Sequence, residues 1–87
     1  MKIVSKPIDA IVVFRGKNKP QPYKFRYTES NGESREIVVE KILLSYEQKL
    51  AGIKTLVYEC QSDIDDYERR YQLKYLISEC RWELYKI

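Results

Sequence analysis

Histidine is absent from this chain of 87 residues. That removes the commonest general base, the usual metal ligand and any histidine-activated serine or cysteine nucleophile. Glycine occurs three times, and neither GxGxxG nor GxxxxGK[ST] can be found, so no phosphate-cradling loop of those types exists. The two cysteines, Cys60 and Cys80, form no CxxC. Two free thiols are expected, with Cys60 acting as a small buried hydrophobe. Long apolar runs are also missing. Ile8–Phe14 is broken by Asp9, is too short to cross a bilayer and has no small-residue cleavage site behind it. The expectation is a cytoplasmic protein without membrane contact. Asp63, Asp65, Asp66 and Glu68 lack the central glycine and distal glutamate of a calcium loop. They read as an acidic turn, because aspartate side chains hydrogen-bond locally in turns. No cofactor, no metal and no catalysis are expected.

What is present is charge, tyrosine and alternation. The net charge is +3, unevenly spread. Residues 1–26 hold seven Lys or Arg against one Asp, and residues 27–87 hold nine against twelve Asp or Glu. A basic N-terminal third is therefore set against a mildly acidic remainder. Eight tyrosines, two phenylalanines and one tryptophan supply large side chains for one core, and the length allows one domain, 1–87.

Period two dominates the pattern. Residues 2–15 are extended, with Pro7 marking a bulge or an edge. A Gly-, Asn- and Pro-rich connection, 15–22, leads to Pro22-Tyr-Lys-Phe-Arg-Tyr-Thr-Glu29, where Tyr23, Phe25 and Tyr27 share one face and Lys24, Arg26 and Thr28 the other. Asn31-Gly32 marks a hairpin. A third strand spans Arg35–Leu44. Ser45–Gly52 has a capping serine, helix-tolerant residues and a terminal glycine, which predicts a helical turn near 46–51. Residues 53–61, 69–77 and the segment led by Trp82 complete six strands, with 62–66 as a turn. Six strands with short turns predict an all-β antiparallel barrel or roll of the SH3-like or split-barrel type. Its expected core is Val12, Phe14, Phe25, Tyr27, Val39, Leu56, Tyr58, Leu73, Tyr75, Trp82 and Leu84.

The function expected is non-catalytic binding. Small barrels bind nucleic acid with aromatics and cations on one face. The cations here are Lys24, Arg26, Arg70 and Lys74, extended by Arg15, Lys17 and Lys19; if their strands are neighbours, they form a stripe that tracks a phosphate backbone. The alternative is a protein partner or self-association. Val57, Leu76, Tyr85 and Ile87 fall on the outer phases of their strands, where apolar side chains mark an interface.

The succession Pro22…Phe25, Arg35-Glu-Ile-Val-Val39, Tyr58-Glu-Cys60, Tyr71-Gln-Leu73 and Trp82-Glu-Leu84 resembles a set of small uncharacterised bacterial β-barrel proteins. The resemblance covers most of the chain and implies a single barrel domain. Some proteins of that set are encoded beside DNA-repair polymerases, which adds to the nucleic-acid reading. The longer 45–52 segment and the acidic turn at 62–66 depart from the pattern. The resemblance carries over no functional residue.

Overall fold

In a computed structural model covering Met1–Ile87, the chain is all-β, as expected, but has seven strands rather than six. They are β1 (Ile3–Val13), β2 (Gln21–Thr28), β3 (Ser34–Val38), β4 (Lys41–Leu50), β5 (Ile53–Ile64), β6 (Tyr67–Leu76) and β7 (Arg81–Lys86). A 3-10 turn, Ile77–Glu79, precedes β7. All pairings are antiparallel and the order is β3-β2-β1-β7-β6-β5-β4.

This order forces curvature. β3 and β4 occupy opposite edges, yet only Val39 and Glu40 connect them. Such a link spans at most about 11 Å. A flat sheet of this size would hold its edges ~29 Å apart, at ~4.8 Å per strand spacing. The sheet therefore curls into a half-barrel until the end of β3 meets β5. Ser62 on β5 marks that meeting. Its Oγ donates to the Val38 carbonyl at 2.7 Å and accepts the Glu40 N–H at 3.2 Å. The Glu40 carboxylate in turn accepts the Asp63 N–H at 2.7 Å.

Phe25, Ile37, Leu56, Tyr58, Cys60, Ile64, Tyr71, Leu73, Trp82 and Leu84 fill the concave face. Burial of these side chains supplies the main driving force for folding. Tyr58, Trp82 and Tyr75 form a run of rings with centroids 5.3 and 5.0 Å apart. Phe25 and Tyr71 meet at 5.4 Å. Val12, Tyr27, Val39 and Tyr75, all expected core, pack around this cluster while only partly buried.

Three expectations are corrected. The 46–51 segment is not a helical turn but the second half of β4. Its ladder with β5 runs from Lys41–Gln61 to Leu50–Ile53, and Ala51 and Gly52, at φ +51° and +82°, make a two-residue turn. Two positive φ values in succession suit the right-handed twist of a hairpin. Backbone pairing outweighs the weak helical propensity of Tyr46-Glu-Gln-Lys-Leu-Ala. The third strand accordingly divides at Val39-Glu40 into β3 and β4. The acidic turn shortens to Asp65-Asp66, again with both φ positive, so β5 and β6 are longer than expected.

Phe14 is the third correction. It lies beyond the end of β1 and is 64% exposed instead of buried. The inner positions of β1 are Val4, Ile8, Ala10 and Val12, and the alternation ends with the strand. Pro7 does lie close to a bulge, at Ser5 (φ +45°); it pairs with Glu83 on β7 and has no partner on β2.

Candidate functional site

The β1–β2 connection gathers three cations of the N-terminal third, Arg15, Lys17 and Lys19. Gly16 takes φ +58°, which a side chain would disfavour. Beside it the Asn18 N–H closes a turn onto the Arg15 carbonyl at 3.0 Å. Pro20 is buried, and the buried Tyr58 hydroxyl donates to its carbonyl, fastening the connection to β5. Burial pushes the Tyr58 phenol up to about 12, so it keeps that proton at neutral pH. Arg15, Lys17 and Lys19 are exposed and form no ion pair. Lys17 and Lys19, with Asn18, Gln21, Ser45 and Tyr58, border a cleft of about 440 Å³ that has no carboxylate in its lining.

Both ends of this connection carry an exposed ring. Phe14 stands at one end. At the other, Tyr23 is 53% exposed, so it does not share the buried face of Phe25 and Tyr27. The β1–β2 register runs Ile11↔Lys24 and then Val12↔Pro22, which leaves Tyr23 as an extra residue in a bulge. The signal for this lay in Pro22. Proline cannot donate to a ladder, and inside a sheet it is found at bulges. Even so, the unbroken alternation of 23–28 in the sequence concealed the shift of phase.

The other expected cations sit differently. Lys24 pairs with Glu36 and Arg26 with Asp9, each at 3.0 Å. Strands β1 and β7 separate β2 from β6, so Lys24 and Arg26 do not join Arg70 and Lys74 in one stripe. The register places Arg70 opposite Gln61, on the convex face. Lys74 Nζ lies 3.4 Å from the Tyr85 ring centroid, in cation–π geometry. Arg35 joins two hairpin tips by bonding Glu29 at 3.1 Å and Asp65 at 2.7 Å, contacts that raise its pKa further. Asp65, part of the acidic turn, is thereby engaged.

Among the expected interface residues, Val57 lies on the convex face opposite Tyr46 and Lys74, yet is fully buried. Leu76 and Tyr85 are half-exposed. Ile87 packs against the core cluster, and its backbone exchanges two hydrogen bonds with Lys2. A register shift in the β6–β7 ladder, with Gln72↔Lys86 followed by Leu73↔Leu84, changes the phase there. Cys60 is buried and Cys80 exposed, both as free thiols.

These strands define the protein as a single-sheet antiparallel half-barrel. Comparison with protein-family models, with curated proteins and with solved structures found no match.

Proposed function

We propose that this chain is a non-catalytic binding module for single-stranded nucleic acid, with the β1–β2 connection as its contact surface. One observation carries the reading: exposed Phe14 and Tyr23 flank Arg15, Lys17 and Lys19, three cations without carboxylate partners. Single strands are held by this combination, in which cations neutralise phosphates and rings stack on bases. Stacking tolerates any base, so the module would bind with little sequence preference. Lys24 and Arg26 contribute less, because Asp9 and Glu36 already neutralise them.

An amide NMR titration with a mixed single-stranded DNA and RNA pool tests the proposal. Shifts should centre on Phe14–Lys19 and Tyr23 and fade as salt rises. Three phosphate contacts predict a slope of about −2 for log affinity against log salt. Lys17→Glu with Lys19→Glu should weaken binding by about tenfold or more. Unchanged affinity in that variant, or a spectrum that does not move, would overturn the reading.

A further inference from the structure

The strand β4 is an edge, paired only with β5. Almost its entire length is exposed, including Leu44 (52%), Tyr46 (40%) and Leu50 (63%). An edge of this kind leaves a row of backbone donors and acceptors free to pair with another chain. Protection by proline is absent from β4. The one irregularity is a bulge at Leu43, between Ile42↔Cys60 and Leu44↔Glu59. Beyond it, Leu44–Leu50 is a regular strand.

We propose that β4 pairs with β4 of a second copy of this chain, antiparallel and two-fold symmetric, centred on Gln48. The argument is one of register. Two-fold pairing of an edge keeps each face continuous, so the axis passes through a residue that meets its own copy. Centring on Glu47 sets that carboxylate against itself, and centring on Lys49 sets two ammonium groups together. Centring on Ser45 leaves only Leu44 and Tyr46 before the bulge intervenes. Centring on Tyr46 pairs Leu44 with Gln48 and Ser45 with Glu47, which matches no charges.

Centring on Gln48 sets Glu47 opposite Lys49 twice and Tyr46 opposite Leu50 twice. Opposite charges and aromatic–aliphatic pairs are the favourable cross-strand partners of a sheet. The faces also agree. Tyr46 and Leu50 lie opposite Val57 and Ile53, on the convex face, while Glu47 and Lys49 lie opposite Leu56 and Lys54, on the other. Glu47 is free to make the contact, since its only ion pair, with Lys54, is 3.8 Å long and exposed. The register joins two half-barrels into one continuous sheet and covers the apolar edge that each leaves bare.

Sedimentation equilibrium without nucleic acid tests this independently of the binding function. The wild-type chain of 10.5 kDa should sediment at twice that mass as concentration rises. Lys49→Glu should weaken association by about tenfold, because Glu47 then faces a carboxylate. Glu47→Lys combined with Lys49→Glu should restore it to within about threefold, since the charges are exchanged in place. Tyr46→Asp, checked for folding by NMR, should abolish association. A wild-type monomer at ~1 mM would overturn the proposal. So would a dimer indifferent to Lys49→Glu and Tyr46→Asp, or one that Glu47→Lys/Lys49→Glu does not restore.

Discussion

The Tyr71 hydroxyl lies 2.6 Å from Ser62 Oγ inside the core. The Ser62 proton goes to the Val38 carbonyl, so Tyr71 is the donor of the pair, and the Glu40 N–H supplies a second bond to the same oxygen. One serine thus joins β3, the β3–β4 link, β5 and β6 where the curled sheet brings the end of β3 against β5. No buried side-chain nitrogen or oxygen is left without a partner. A satisfied polar network of this sort specifies one arrangement of a core.

Ser62→Ala should cost about 2–3 kcal/mol in urea unfolding, because it orphans a backbone carbonyl, a backbone N–H and a buried phenol together. Tyr71→Phe should cost about 1 kcal/mol, since Ser62 keeps its backbone partners. The double variant should cost less than the sum, as members of one network couple. Additive losses would show that the two hydroxyls act separately.

The two phenylalanines should behave oppositely. Phe25 is 1% exposed and contacts Tyr27 and Tyr71, so Phe25→Ala should cost about 3–5 kcal/mol. Phe14 is mostly solvated, so Phe14→Ala should change stability by less than about 0.5 kcal/mol. Its effect should instead fall on oligonucleotide affinity, by about 1–3 kcal/mol if a base stacks on the ring. Denaturation and binding curves on the two variants separate these effects.

Alkali should destabilise the fold. Burial pushes the Cys60 thiol from 9.0 up to about 12 and the Tyr58 phenol from 10.0 up to about 12, and it raises the Tyr71 phenol as well. These groups are neutral when protonated, so the folded chain holds protons that the unfolded chain has released. The contributions of Cys60 and Tyr58 are complete below pH 9 and are lost as pH rises from about 9 to about 12, and that of Tyr71 is lost further into alkali. Unfolding midpoints measured across that range should fall steadily, and Cys60→Ala should remove the part that begins near pH 9. The same burial predicts one thiol, Cys80, reacting quickly with a disulfide reagent in the native protein, and two reacting in denaturant.

Much of this architecture was legible locally. Asn31-Gly32 does turn the chain, with Gly32 at φ +87° and its N–H bonded to the Glu29 carbonyl. Phe25, Leu56, Tyr58, Leu73, Trp82 and Leu84 are core because their alternation places them on one face, and that face became the concave one. Each of these rests on neighbours in sequence, which is where period-two patterning is informative. Of the candidate surface, the basic residues at 15–19 were readable, because a Gly- and Pro-rich connection has to lie in solvent.

Composition, alternation and turn residues by themselves determined an antiparallel all-β chain with an aromatic core. Tertiary structure decided which residues that core left outside. Strand order separated Lys24 and Arg26 from Arg70 and Lys74, and no local pattern encodes which strands are neighbours. A bulge opposite Ile11 and Val12 turned Tyr23 to solvent, since one extra residue shifts the phase of everything beyond it. Residues 45–50 became an exposed edge strand because β5, the next strand across the Ala51-Gly52 turn, offered a backbone to pair with, and that ladder outweighs local helical preference.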